Sequence, residues 1–232
     1  MKLPIFKAIL TAMSAEADMI IEKYSLKLKE VKKFQNITIY EWERKNDEEI
    51  ERLVLVVSGI GKIQSAIGAT YLFENYDILK FVNIWIAGCV RNSDAQIWDV
   101  FLPNTFICHD TYLPFDGAHL DYFKKPIFLE YAIGDNMDLQ KFWLILNGIC
   151  VTGDQFIDDT WKVEELREKY NADVVEMEAF SVLSVAREYN ALDRCIVIKS
   201  ISDLADGSAT TDQENNLDLA MKNSIIVLDF VL

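Results

Sequence analysis

The sequence predicts one α/β domain over residues 1–232, with a mixed, mainly parallel central sheet flanked by helices. Three observations predict it. Most β-rich runs are continuously apolar rather than alternating, as strands buried on both faces must be. Helical patterns follow many of them, and that alternation suits a parallel sheet with helices on both sides. No repeat, low-complexity tract or Pro/Gly-rich linker divides the 232 residues, a length that one domain can hold.

The elements follow in order. FKAILTA reads as a strand, and EADMIIEKYSLKL as the helix after it. ITIYEWERKNDEEIERLVLVV reads as a hairpin with KNDEE at its turn, and KIQSAIGATYLFENY as a helix. FVNIWIAG and VFLPNTFIC are strands. The stretch HDTYLPFDGAHLDYFKKPIFLEYAIGD is aromatic, irregular and too long for an idle connection, which points to a binding loop or rim. GICV, ADVVEM and CIVIKSIS complete the strands; TWKVEELREKY, EAFSVLSVAREYN and ENNLDLAMKNSIIVLDFVL complete the helices.

Composition narrows the function. Hydrophobic residues make up 51%, enough for a large core. The net charge of −14 argues against a nucleic-acid partner and suits neutral or cationic small molecules. Cys89, Cys108, Cys150 and Cys195 lie far apart with no CxxC pair, the pattern of buried reduced thiols in a cytosolic protein. The first apolar run meets acidic residues at once, so it reads as strand, turn and helix rather than as a signal peptide. No apolar run approaches the roughly 20 residues of a membrane span. His109-Asp110 sets two metal-ligand types side by side, but adjacency does not make a site; a loop or rim role is expected, with no metal.

In open α/β sheets, ligands bind outside the carboxyl ends of the strands. Those ends carry Ser14-Ala15-Glu16, Ser58-Gly59-Ile60-Gly61, Ala87-Gly88, Thr152-Gly153-Asp154-Gln155-Phe156-Ile157, Glu176-Met177-Glu178 and Ser202-Asp203. Each has a structural explanation by itself. Glu16 can complement a helix dipole, Ser58 can cap a helix, Asp203 can cap a turn, and Glu176 and Glu178 can flank a helix start. Together, three carboxylates (Glu16, Glu178 and Asp203) converge where a pocket is expected. Glu176 and Glu178 also interrupt an apolar run, where an unpartnered carboxylate is costly to bury.

The ordered set AMSAEAD (12–18), SGIGKIQSAIGAT (58–70), AGC (87–89), TGDQFI (152–157), VEMEA (175–179) and SISDLAD (200–206) resembles the methylthioadenosine/S-adenosylhomocysteine nucleosidases of the purine nucleoside phosphorylase superfamily. The resemblance covers nearly the whole chain and is loosest in the middle loop. It implies a nucleoside phosphorylase-like fold and hydrolysis of the N-glycosidic bond of 5′-modified purine nucleosides. It implies that Asp203 protonates N7 of the departing purine, and that Glu16 orients and deprotonates the attacking water. Glu178 would bind the ribose 2′- and 3′-hydroxyls, with Glu176 as a supporting neighbour. The ring of Phe156 would stack on the base, the backbone at Ile157 would read the base edge, and that at Met177 would border the ribose. Ala87, Gly88 and Ser202 belong to the same strand ends. The resemblance further implies a homodimer, a small-molecule purine nucleoside as partner, and no cofactor.

The chemistry asks for these residue types independently. Breaking an N-glycosidic bond builds positive charge on the ribose and negative charge on the base. An acid near N7 answers the second, and carboxylates near the sugar answer the first. A carboxylate of raised pKa can take a proton from water. Two positions depart from the family: Ile86 stands where a Ser or Thr is usual, and Lys199 where an arginine is usual, both on the water or phosphate side of the ribose. Lysine keeps the charge but lacks the planar fork, and isoleucine supplies no side-chain hydrogen bond. Two alternatives therefore stay open: a phosphate-dependent phosphorylase, and a non-catalytic nucleoside-binding protein. The 5′ substituent and the base stay open too.

Overall fold

The computed structural model describes residues 5–29, 36–45, 50–91, 95–115, 117–131 and 144–232. In chain order the elements are β1 (Ile5–Thr11), α1 (Ser14–Tyr24), β2 (Lys27–Lys29), β3 (Thr38–Lys45), β4 (Ile50–Val57), α2 (Lys62–Asn75), β5 (Asp77–Cys89), β6 (Val100–Leu102), β7 (Thr105–Cys108), α3 (Asp121–Lys124), β8 (Ile127–Phe128), β9 (Leu144–Leu146), β10 (Ile149–Thr152), α4 (Thr160–Tyr170), β11 (Val174–Glu176), α5 (Ala179–Glu188), β12 (Cys195–Asp203) and α6 (Ala209–Val231). The elements agree closely with the sequence reading, and the differences have local causes. α1 stops at Tyr24 because Ser25 turns left-handed (φ 52°), and the following Lys-Leu-Lys pairs as β2. VFLPNTFIC divides into β6 and β7 at Pro103, which has no N–H to give a ladder. α6 begins at Ala209, five residues before the expected start. The hairpin pairs antiparallel from Thr38↔Val57 to Lys45↔Ile50; positions 46–49 of its expected turn lie outside the described residues. So do position 116 and positions 132–135 of the long middle stretch, whose described part carries α3 and β8.

The sheet runs β2-β3-β4-β1-β5-β11-β10-β7-β8, with β12 pairing both β5 and β6, and β6 pairing β9 in turn. Its centre is parallel: β1 lies between β4 and β5, and β12 runs beside β5. The hairpin strand β3 and the reversed pairing of β11 with the end of β5 make it mixed.

Strand periodicity then builds two cores. On β5, Phe81 and Trp85 face the layer of α2 and α5, with Leu72 and Leu183. Val82, Ile84 and Ile86 face the layer of α1 and α6, with Ile20 and Leu228. Burial on both faces is what the unbroken apolar runs demanded. A smaller cluster holds α4 through Val163 and Leu166 against Val151 and Ile157. Among the described residues, no helix is long and apolar enough to cross a membrane. Cys89, Cys150 and Cys195 are buried thiols as expected, whereas Cys108 is only half-buried.

Candidate functional site

The ends of β1, β5, β11 and β12 and the turn after β10 enclose one cavity, bordered by Glu16, Ile86, Phe156, Glu178 and Asp203. Ala87, Gly88, Ile157, Glu176, Met177 and Ser202 border it too. Of the expected positions, Lys199 alone does not reach it.

Glu16 stands in the first turn of α1, only 1% exposed. Its Oε2 accepts from the Met13 amide and the Thr11 hydroxyl, each at 2.9 Å, and its Oε1 accepts from the Ile86 amide at 3.3 Å. Burial raises its pKa against those donors. The backbone of Ile86 therefore supports Glu16 although its side chain offers no hydrogen bond.

Asp203 ends β12. The register of β12 against β5 slips between Ile201 and Asp203, leaving Asp203 opposite Gly88. A Cβ at Gly88 would stand 2.9 Å from Asp203 Oδ1, so the glycine leaves the carboxylate its place. Oδ1 accepts from the Ala205 amide at 2.9 Å, across a turn in which Ala205 itself is left-handed (φ 55°), and Ser202 Oγ donates to Oδ2 at 2.7 Å. Asp203 thus caps a turn and faces the cavity at once. Burial raises its pKa, and the charges of Asp212 and Asp206 add to the rise.

The two glutamates of VEMEA separate in role. Glu176 points into the protein. It accepts from the Thr152 hydroxyl, from the amides of Glu178 (3.1 Å) and Ala179 (2.8 Å) at the start of α5, from Trp85 Nε1 (3.0 Å) and from Lys199 Nζ (2.7 Å). Glu178, the residue before α5, accepts from the Gly61 amide at 2.7 Å and from the Met177 amide at 3.2 Å. Burial first, and then the charge of Glu176, push its pKa up to about 8.

Gly59 and Gly61 hold φ values of 90° and 92°, which turn the chain sharply enough to aim the Gly61 amide at Glu178. Ser58, expected as a cap, instead donates to the carbonyl of Gly59 at 2.9 Å. Lys62 and Asp154 tie this turn to the one after β10: the Lys62 amide donates to Asp154 Oδ1 at 2.8 Å, and the Lys62 ammonium lies 2.5 Å from Asp110 Oδ1.

Lys199, expected beside the ribose, is fully buried. Its ammonium contacts Glu176, Asn83 Oδ1 at 3.2 Å and the Trp85 ring at 4.3 Å from the centroid. Lys199 pairs with Trp85 and Ser200 with Ile86, so Lys199 and Ile86 point to opposite faces of the sheet. His109 sits in the turn after β7, as a loop role expects, but is buried rather than at a rim. It is 7% exposed and packs on Gly153, with neither ring nitrogen hydrogen-bonded among the described residues. Within those residues no group of three or more metal-ligating side chains gathers.

Sequence reasoning missed Trp85 and Gln213, and gave Gln155, inside the strand end TGDQFI, no role; all three border the cavity. Trp85 had left a signal: a large indole donor inside an apolar strand end needs a partner when buried.

A family model described as "Phosphorylase superfamily" matches residues 7–232. The 5′-methylthioadenosine/S-adenosylhomocysteine nucleosidase of Buchnera aphidicola subsp. Baizongia pistaciae (strain Bp) is 30% identical over 233 residues, covering 97% of this chain and 88% of that protein. Two Helicobacter pylori structures share the fold. A nucleosidase mutant with 5′-methylthioadenosine in its active site superposes with a TM-score of 0.80 at 22% identity, covering 100% of this chain and 98% of the other. A futalosine hydrolase gives a TM-score of 0.82 at 22% identity, covering 99% and 97%.

Proposed function

The chain belongs to the 5′-methylthioadenosine/S-adenosylhomocysteine nucleosidases of the phosphorylase superfamily, and from that membership we propose that it hydrolyses the N-glycosidic bond of 5′-modified purine nucleosides, releasing the purine. The observation that carries the reading is the meeting of three buried carboxylates, Glu16, Glu178 and Asp203, around one cavity.

Asp203, its pKa raised by burial toward the protonated form, gives a proton to N7 as the bond to the sugar lengthens. Glu178 accepts from the ribose 2′- and 3′-hydroxyls in the pocket where the Gly61 and Met177 amides already orient it. Hydroxyls donating to Glu178 favour its ionised form against the burial that raises its pKa, and that form also favours the positive sugar that develops. Glu16 holds the attacking water and takes its proton. Phe156, at 45% exposure, offers a ring face to the base, and the backbone at Ile157 reads the base edge. The backbone at Met177, with Ala87, Gly88 and Ser202, borders the ligand. Glu176 and Lys199 act from behind, through the start of α5.

Phosphorolysis is the second reading. It needs an anion site, and the only charged side chains bordering the cavity among the described residues are carboxylates. The test follows adenine and ribose 1-phosphate from 5′-methylthioadenosine with and without phosphate. Adenine release that ignores phosphate supports hydrolysis, phosphate-dependent release supports the phosphorylase, and tight binding without turnover supports a binding protein.

The reading extends to a cytoplasmic homodimer acting in methionine salvage. A face of α2 and the aromatic stretch supports the dimer: Ile63 is 71% exposed, Tyr112 83% and Tyr122 61%. Light scattering that returns a fully active monomer at micromolar concentration removes that part.

A further inference from the structure

Four carboxylates, those of Glu16, Glu176, Glu178 and Asp203, are the charged side chains bordering the cavity among the described residues. Of the neutral donors there, the Ser202 hydroxyl is taken up by Asp203 and the Trp85 indole N–H by Glu176. Two primary amides remain. Gln155 precedes Phe156 in the turn between β10 and α4, and Gln213 lies near the start of α6, next to the Asp212 whose charge acts on Asp203. Neither amide has a hydrogen-bond partner among the described residues.

Their depth differs from that of the carboxylates. Glu16, Glu178 and Asp203 are 5% exposed or less, whereas Gln155 is exposed and Gln213 half-buried, beside the open side chains of Ile60 and Phe156. The buried end thus holds the reacting atoms and the amides stand at the mouth. With the ribose on Glu178 and the base on Phe156, the part of the nucleoside left for the mouth is its 5′ substituent. A bare alkylthio group would cover two amides and satisfy neither, and covering an unmatched polar group costs affinity. A substituent with donors and acceptors of its own matches both. A phosphate tail would meet no cation among the described residues that border the cavity, and would lie in the field of its carboxylates.

We propose that Gln155 and Gln213 are specificity-determining residues that select purine nucleosides whose 5′ substituent carries hydrogen-bonding groups without net negative charge, over those ending in a plain alkylthio group. The proposal rests on the nucleosidase reading and deepens it.

The test compares S-adenosylhomocysteine, with its zwitterionic amino-acid tail, and 5′-methylthioadenosine, on the full chain and on Gln155→Leu and Gln213→Leu. Wild type is expected to favour the amino-acid tail at least tenfold in kcat/KM. Each leucine variant is expected to lose about threefold to tenfold on that substrate alone, the worth of one neutral hydrogen bond. A Tm within a degree or two of wild type shows that each variant is folded, and methylthioadenosine turnover is expected to hold or rise, because leucine leaves no unmatched amide under the alkylthio group. Equal kcat/KM for the two nucleosides in wild type, or equal losses on both in the variants, overturns the proposal. If wild type releases purine from neither, calorimetry on Asp203→Asn separates the two ideas. Tighter, glutamine-dependent binding of the amino-acid tail upholds the selection while hydrolysis falls; binding of neither nucleoside overturns both.

Discussion

Lys199 Nζ lies 2.7 Å from Glu176 Oε2, and both side chains are closed to solvent at 0% and 2% exposure. Removing one partner of a buried pair strands the other charge, at about 3–5 kcal/mol. Lys199→Met is therefore expected to lower Tm by roughly 6–20 °C for a chain of this size. Pairing it with Glu176→Gln is expected to recover more than half of that loss, because the stranded charge is gone. Calorimetric melts of the three proteins check this; a double variant no better than the single one shows that Glu176 is held by its other donors alone.

The strand register changes what the two departures from the family can do. Ile86 and Lys199 point to opposite faces of the sheet, and Glu16 already takes the amide of Ile86. Ile86→Ser adds a hydroxyl at the cavity near Glu16, where a better-held water can gain up to about a hundredfold; a gain of about tenfold in turnover number is expected. Lys199→Arg is expected to bring none, since its place is sealed behind Trp85 and Glu176. Steady-state purine release by the two single variants and the double variant decides it. A double variant much faster than Ile86→Ser would return Lys199 to the side of the water.

Asp203→Asn keeps the shape and the acceptor for the Ala205 amide but removes the transferable proton. Turnover is expected to fall about 10²–10⁴-fold while nucleoside still binds. Activity within threefold of wild type would take Asp203 out of the mechanism.

Glu178→Gln has two expected effects. Charge-assisted hydrogen bonds contribute about 1.5–3 kcal/mol each, so ribonucleosides should lose far more affinity than 2′-deoxyribonucleosides, and equal losses would contradict the role. The second effect is on stability. The carboxyl of Glu178 rises from an ordinary 4.5 to about 8 in the fold, so folding takes up a proton there between those two values. Its contribution is complete below about 4.5 and is lost as pH climbs through about 8. Glutamine does not titrate. The Tm of Glu178→Gln relative to wild type is therefore expected to rise across that window and stay flat outside it. A difference that does not vary with pH would mean that Glu178 ionises as an ordinary glutamate.

The strands were legible because burial on both faces leaves unbroken apolar runs, as in FVNIWIAG and CIVIKSIS. The carboxylates were legible because strand ends are where such sheets carry ligands. Direction was not. VEMEA does not say that Glu176 turns into the protein and Glu178 toward the cavity; the helix start that it creates, and partners from β5, β10 and β12, decide that. Lys199 read as a ligand because it stands where the resembled family usually has an arginine; its partner Glu176 lies 23 positions away. Gln213 was illegible because an amide on a helix looks like ordinary surface, and Gln155, though named within the strand end TGDQFI, carried no sign of a role of its own.

The hydrogen bonds that shape the cavity join distant parts of the chain: Ile86 to Glu16 across 70 positions, Trp85 to Glu176 across 91, and Gly61 to Glu178 across 117. Such closures come late in folding, since the chain must first surrender the freedom of every loop between. During refolding, helical signal should return before the ability to bind nucleoside. A chain truncated before β12 would hold Glu16, Glu176 and Glu178 without Asp203 and without the β5 pairing that places it, and is expected to cleave no nucleoside.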